Sequence, residues 1–447
     1  MIRPCLLGTI FSVGLLAACK PATQVERTQS YNAQTGVQVQ FNAAAAWNEF
    51  EDKLRLFYAY IERDDFDVDA QLARSKSIAV TARTDAEFRR ILHQTAYAFT
   101  DPHFIVGPFE DDDYNIIPTS SDLKVEWQGE RLVVRDVRMG SDAEQSIKPG
   151  WFILKINGED PGAASRKPFG TVVENPTPKQ RNYGANLAVN GLRKGQRHLT
   201  LMTHQGEKRD ITLPSPRDYA VAVSALPDVT SQPYSGISAG SGTAGILGNF
   251  GYIKINNQLG NNDVITAFDR VLKTQMDTDG LILDLRNTPS GGNTEVGRSI
   301  IGHFISETRS YQVHEIPSLE REFTVPRRFI EQAKPRAPYY GKPVVVIGGH
   351  WTGSMGEGLV IGMDAAANAY TITSDMGDLL GALSNYTLHN STARVDFASE
   401  ALFHVNGTPR ENFVGDLMMT GVDQSTGGSM PAIAAARAYL TRQSRRE

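Results

Sequence analysis

The spacing of apolar and polar positions changes period three times along the chain. From Ala43, AAAAWNEFEDKLRLFYAYIERDDF sets Trp47, Phe50, Leu54, Phe57 and Tyr58 three and four residues apart, the stripe of a helix with one buried face. TDAEFRRILHQTAYAF repeats the pattern with Phe88, Ile91, Leu92 and Tyr97. Thr84 or Asp85 caps its start, and it stops at TDPHF, where Pro102 disfavours further helix. Between residues 121 and 214 the period falls to two, so that LKVEW and RLVVRDV read as half-buried strands. Beyond a Gly/Ser/Pro-containing linker the runs become continuously apolar. LGNFGYIKI, DGLILDLR, KPVVVIGG and AYTITS read as buried strands, and NDVITAFDRVLKTQM, GNTEVGRSIIGHFI and GEGLVIGMDAAANA as helices. This alternation predicts an α/β core whose loops at the strands' carboxyl ends build a site.

At 447 residues the chain exceeds one ordinary core, and length favours roughly three domains. The periods divide it into a helical part at 43–110, a β-rich domain at 121–214, a linker at 215–245 and an α/β core at 246–447. Ahead of these, MIRPCLLGTIFSVGLLAAC has one early Arg3, an apolar run too short to span as a mature helix, and small residues before Cys19. It reads as a secretory signal over 1–19. Leu16-Ala17-Ala18-Cys19 resembles the lipobox of bacterial lipoproteins, which implies cleavage before Cys19 and acylation of its thiol; an ordinary signal peptide is the alternative. Lys20 at the following position favours the outer membrane of a Gram-negative envelope. Residues 20–42 are polar and suit a flexible tether. Cys5 leaves with the signal, so Cys19 is the only thiol of the mature chain and no internal disulfide is expected. The 45 basic and 50 acidic residues include no dense basic patch, and nucleic acid is not an expected partner.

Within the β-rich part, LVVRDVRMGSDAEQSIKPGWFILKINGEDP resembles a PDZ domain, closed by the hairpin KGQRHLTLMTHQGEKRDITL. Trp151 stands where such domains carry Asp after the glycine. Residues 159–190 form a Pro/Asn-rich insertion with the means to alter the peptide groove. Taken in order, the helices, this insert, GYIKI, DLRNTPSGG, a strand leading to a Ser-x-x-Glu turn and a late Gly-Asp resemble the tail-specific (C-terminal processing) serine protease family from about residue 45 onward. The resemblance implies a multidomain α/β fold: an N-terminal helical part, a PDZ-like β-rich domain, and a C-terminal α/β protease core of the ClpP/crotonase-like type.

The chemistry centres on HWTGSMGEGLV, residues 350–360. Ser354 and Glu357 have the spacing of a capping box, and the local sequence leaves cap and nucleophile open. The resemblance aligns Ser354 with the family's nucleophile, after a strand and at a helix start that favours developing negative charge. Thr352 breaks the G-x-S-x-G elbow, which argues against an α/β-hydrolase. One branch of the family activates its serine with a lysine about two dozen residues downstream, but no lysine follows Lys342. The tricorn-like and retinoid-binding-protein-like branch, which uses a histidine, fits better through the Gly377-to-Gly381 turn and the Asp101-Pro102-His103 segment. His103 is then the general base, required within about 3 Å of Ser354 Oγ; a histidine satisfying a local turn is the alternative. Glu411 in ENFVGD corresponds to the family's orienting glutamate, although Gly415 is displaced and the proline before Asp416 is missing. Asp375 and Asp378 compete for that role. The resemblance assigns the oxyanion donors to the N–H of Met355 and that of Gly291 or Gly292.

No HExxH, G-x-G-x-x-G or P-loop is present, so neither metal nor cofactor is expected. The resemblance implies an exported serine endopeptidase acting on proteins or peptides and held at the membrane by a lipid anchor. Its PDZ-like domain would add a substrate C-terminus as an extra strand. A catalytically lapsed peptide-binding lipoprotein and a small-substrate esterase or amidase are the alternatives.

Overall fold

The computed structural model describes residues 40–62, 67–217, 229–231, 249–256, 259–289, 291–424 and 430–445. The lipobox with Cys19, tether residues 20–39 and most of the 215–245 linker lie outside the described residues. No described helix is long and apolar enough to cross a membrane.

Helix α1 (Ala43–Phe57) starts at Asn42, whose side chain accepts from the Ala45 N–H, and buries Trp47, Phe50 and Leu54. Helix α3 (Asp85–Ala98) starts on a capping box between Thr84 and Glu87. Between them lies α2 (Val68–Ala79), which the apolar pattern does not announce. Its buried positions are Leu72, Ser75 and Ala79, with only one large apolar side chain among them. Strand β1 (Ile105–Gly107) follows α3 directly.

The β-rich domain is an antiparallel sheet of β2 (Leu123–Gln128), β3 (Arg131–Val137), β4 (Phe152–Ile156), β5 (Gln196–Met202) and β6 (Lys208–Pro214), in that spatial order. Short α4 (Asp142–Ser146) follows β3. The insertion after β4 folds into α5 (Pro161–Arg166) and α6 (Pro178–Asn190), the latter opened by Pro178 and a Thr177/Gln180 capping box. Helix α6 lies along the outer edge of β2. Asn182, Asn186 and Asn190, one helical turn apart, bond the main chain of Trp127, Val125 and Leu123. Trp127 N–H donates to Asn182 Oδ1 at 2.9 Å. Asn186 accepts from Val125 N–H and donates to Val125 C=O, both at 2.9 Å. Asn190 does the same for Leu123 at 3.2 and 2.8 Å. The two periods match: four helical residues rise about 6 Å, two strand residues about 6.7 Å.

The core holds a six-stranded sheet of spatial order β16-β13-β12-β9-β8-β7. Its members are β7 (Val229–Ser231), β8 (Phe250–Ile255), β9 (Gly280–Asp284), β12 (Val344–Gly348), β13 (Tyr370–Thr373) and β16 (Leu417–Met418). All pairings are parallel except β7 with β8. Every residue of β9 and β12 is buried, the pattern of parallel strands covered on both faces. Helices α7 (Asp263–Lys273), α8 (Thr294–Ile301) and α10 (Met355–Ala367) contribute to the core on one face, and α11 (Pro431–Ser444) to that on the other. Parallel strands put the loops after β9, β12 and β13 on one side.

A second, antiparallel sheet runs β1-β15-β10-β11, with β14 also paired to β15. It comprises β10 (Arg309–Glu315), β11 (Arg328–Ala333), β14 (Ala382–Thr387) and β15 (Arg394–Phe403), and the short α9 (Pro317–Phe323) joins β10 to β11. Strand β15 is flanked by β1, which follows His103, and by β14, which follows the 377–381 turn. Phe104 and Phe397, 5.6 Å apart, fasten this sheet to the core formed by α1 and α3.

Replacing Asn186 by Ala leaves a buried N–H and a buried C=O of Val125 without partners. At about 1–3 kcal/mol for each such group, the expected destabilisation is about 2–6 kcal/mol, checked by the denaturant midpoint. No shift would mean that α6 is not needed to satisfy this edge.

Candidate active site

Three loops converge at the carboxyl ends of β9, β12 and β13. The first is stiffened by the buried pair Asp284 and Arg286, 2.6 Å apart, with Tyr252 Oη donating to the same carboxylate at 2.7 Å. The guanidinium holds the Asp284 carboxyl well below the usual range despite burial. In the second loop, Thr352 Oγ1 donates to Leu285 C=O and accepts from Gly349 N–H, both at 2.8 Å. Gly353 N–H donates to Thr288 C=O at 2.9 Å. A Cβ at Gly353 would stand 2.6 Å from the Pro289 carbonyl oxygen, so only glycine permits this approach.

Ser354 begins α10 with φ 53° and ψ −119°, a region that costs a non-glycine residue about 1–3 kcal/mol. The extended backbone of an ordinary N-cap is absent. The conformation is held by a 2.6 Å bond from Ser354 N–H to Glu357 Oε2, the carboxylate half of a capping box. Glu357, 3 % exposed, also accepts from Asp378 N–H at 3.0 Å and Leu379 N–H at 3.3 Å, and pairs with Arg410 at 3.2 Å. Arg410 additionally donates to Leu379 C=O. Burial pushes the Glu357 carboxyl up to about 7, against the lowering pull of Arg410 and of these amides.

His103 reaches the same loop from the helical part. Its own N–H donates to Asp101 Oδ1 at 2.8 Å, and Tyr58 Oη donates to the other oxygen at 3.0 Å. The ring's Nδ1 lies 2.7 Å from Leu380 C=O. A carbonyl only accepts, so Nδ1 carries the hydrogen and Nε2 keeps its lone pair. Burial first, and Arg410 second, lower the His103 pKa to about 3. No hydrogen bond joins the His103 ring to Ser354 Oγ among the described residues, in contrast to the direct contact expected from the sequence. The two are linked instead by a path from Ser354 N–H through Glu357 and the 379–380 main chain to His103 Nδ1.

Glu411 sits beside Arg410 on a short 3-10 turn and lines a cavity of about 960 Å³ together with Pro102, Asp375, Asp378 and Leu380. The partner at Nδ1 is thus a main-chain carbonyl, where the sequence led us to expect the Glu411 carboxylate. Glu411 and Asp378 both have carboxyls raised by burial, and Asp378 raises Glu411 further. The oxyanion donors also differ from expectation. Gly291, at φ +135°, turns its carbonyl toward the Ser354 turn, accepting from Met355 N–H at 3.0 Å and from Ser354 Oγ at 3.5 Å. Met355 N–H is therefore engaged, and Gly291 presents an acceptor.

Sequence reasoning took Glu357 only as a possible cap and passed over Arg410. The charge adjacent to Glu411 was the available signal for the latter. It also missed two buried groups on the wall of the same cavity. Asp136 Oδ1 and His350 Nδ1 have no hydrogen-bond partner among the described residues. Burial raises the Asp136 carboxyl to about 6. Asp423, which accepts from His350 N–H at 2.8 Å, is pushed to about 7 by burial and by Asp136.

Residues 249–409 match the model of Peptidase family S41, a span that includes Ser354 and excludes His103 and Glu411. No curated protein sequence matches this one. Among solved structures, mature CPAF is similar at 12% identity and TM-score 0.61, covering 90% of this chain and 98% of that one. A photosystem II D1 C-terminal processing protease is similar at 12% identity and TM-score 0.53, covering 89% of this chain and 97% of that one.

Glu357 accepts these bonds fully only as the carboxylate. Labelling of Ser354 by a fluorophosphonate should therefore slow as pH falls through about 7. Glu357→Gln forfeits charge-assisted bonds of about 1.5–3 kcal/mol, about 10–100-fold in rate, and should abolish this pH step. A step kept at the same pH in the variant would assign the titration to another group.

Proposed function

From the premise that the protein is a serine-type peptidase with a family S41 core, we propose that it is an exported endopeptidase in which Ser354 is the nucleophile and His103 the general base. The observation that carries this reading is the hydrogen-bonded path joining the Ser354 amide, Glu357, the 378–380 loop and the His103 ring. With Nδ1–H held by Leu380, Nε2 is the nitrogen able to accept the serine proton as Oγ attacks a peptide carbonyl. The imidazolium then protonates the leaving amine, and water cleaves the acyl-enzyme by the reverse proton path.

Glu411, on the wall of the cavity that Leu380 also lines, would act on the imidazolium only through space. The oxyanion would take the Met355 N–H once substrate displaces the Gly291 carbonyl, with an N–H of the Gly291–Gly292 segment as the second donor. Capture of a substrate's carboxyl terminus by strand addition to a PDZ-like domain, implied by the resemblance, finds no support at β2, whose outer edge α6 occupies. A lapsed peptide-binding lipoprotein is the second reading, favoured only by the engaged Met355 N–H.

The LAAC segment supports export and acylation at Cys19, with the periplasmic face of an outer membrane as the proposed location. Metabolic labelling with an alkyne fatty acid should mark the wild-type protein and not Cys19→Ala; equal labelling of both would remove the anchor.

For the chemistry, His103→Ala should lower kcat/KM on a quenched fluorescent peptide by about 10²–10⁴-fold. Ser354→Ala should abolish both turnover and fluorophosphonate labelling. Glu411→Gln should cost less than about tenfold, because the ring's hydrogen bond does not depend on it. Full activity in His103→Ala would discard the base assignment. Absence of labelling in well-folded wild type would favour the lapsed binder, and cleavage of short esters alone would point to an esterase.

A further inference from the structure

We infer that helix α6 fills the strand-addition edge of the β-rich domain, so that the enzyme takes interior segments of polypeptide and does not read a free C-terminus. The inference deepens the serine-peptidase reading, on which its consequence for substrate choice rests. Strand addition draws its affinity from main-chain groups left open at a sheet edge. In β2 the edge facing away from β3 is formed by Leu123, Val125 and Trp127. Five of their N–H and C=O groups are bonded to the carboxamides of Asn182, Asn186 and Asn190. A carboxamide offers the same donor and acceptor as a peptide unit, and three at one-turn spacing imitate an added strand.

The helix is not free to swing aside as a unit. Its first turn is tied to the helical part by Gln180 Nε2 donating to Ala98 C=O at 2.8 Å. Its last is tied by Asn115 Nδ2 donating to Asn190 C=O at 3.0 Å. A Cβ at Gly184 would lie 2.1 Å from the Ser165 carbonyl oxygen, so α6 is also seated closely on α5. The ladder carries its own internal support, since Asn190 and Asn186 also donate to the carbonyls of Asn186 and Asn182 at 2.8 and 2.9 Å. What stays open beside the seam is the cavity that runs from Lys124, Asn182 and Asn186 to Asp378 and Leu380. It accepts side chains along a passing substrate, whereas a terminal carboxylate finds no free main-chain edge at β2.

The test uses the full-length protein with Ser354→Ala and two fluorescent decapeptides ending Ala-Leu-Val, identical except for a free carboxylate or a carboxamide at the C-terminus. Anisotropy should show equal affinities within about twofold, or no binding of either. Hydrogen exchange should show the Leu123, Val125 and Trp127 amides protected without peptide and unchanged by either peptide at saturation. Preference for the free acid by about tenfold or more, with added protection in β2, would overturn the inference. So would rapid exchange of those three amides in the peptide-free protein. None of these readings requires turnover, so failure of the peptidase assignment is read separately, from fluorophosphonate labelling of the unsubstituted protein.

Discussion

The arrangement of the site depends on one buried carboxylate. Glu357 accepts from the main chain of Ser354, Asp378 and Leu379 and pairs with Arg410. A buried ion pair by itself is poor evidence of stability, because two desolvated charges scarcely repay their transfer from water. Here the amides supply additional partners for the carboxylate, and the pair secures a geometry. Ser354 at positive φ would relax without a restraint, and a 2.6 Å bond at its own N–H is a direct one. The same carboxylate fixes the loop that presents Leu380 to His103, so the proposed nucleophile and the proposed base are positioned by one group, although 251 residues separate them in sequence.

The domains are joined by the same means, a polar side chain of one segment satisfying main-chain or amide groups of another. Arg138, buried at the end of β3, donates through Nε and Nη2 to Asn287 at 2.9 and 2.8 Å, and through Nη1 to the carbonyls of Thr119 and Ser121. Trp351 Nε1 donates to Ser121 Oγ at 3.0 Å. Both bonds end within a few residues of the loops that shape Ser354. The β-rich domain therefore bears directly on the loops around Ser354, whatever its own ligand. Charge-assisted bonds of this kind are worth about 1.5–3 kcal/mol each, more than an exposed ion pair supplies. They are also directional, which apolar contact is not.

The mixed α/β architecture and the strand–turn–helix around Ser354 were legible because each rests on local periodicity. VVVIG is wholly buried and reads as a strand; Ser-x-x-Glu reads as a helix start. Helix α2 was not legible, since Leu72 is its only large buried apolar residue. The sequence also pointed to the 159–190 insertion as a disturbance of a peptide groove, but not to its asparagine ladder, whose meaning appears only when α6 lies antiparallel to β2. Ring orientation at His103 was the least accessible feature. Its partner is the carbonyl of Leu380, and a main-chain oxygen leaves no trace in residue identity. A reading of side chains therefore turned to the nearest plausible carboxylate, Glu411.

The engagement of the proposed oxyanion donor is a matter of magnitudes. The Gly291 carbonyl accepts from Met355 N–H at 3.0 Å, so a neutral oxygen already occupies the direction in which that donor would serve a negatively charged one. Giving up one neutral hydrogen bond costs about 1 kcal/mol net. An oxyanion-hole donor contributes about 2.7–4 kcal/mol once the oxygen bears charge. The exchange is therefore favourable as charge develops, and unfavourable or neutral before it. Gly291 at φ +135° is suited to both arrangements, because glycine alone moves through that region without steric penalty. Under the proposed mechanism the carbonyl would thus satisfy a buried amide in the absence of substrate and leave the transition state the stronger claim on it.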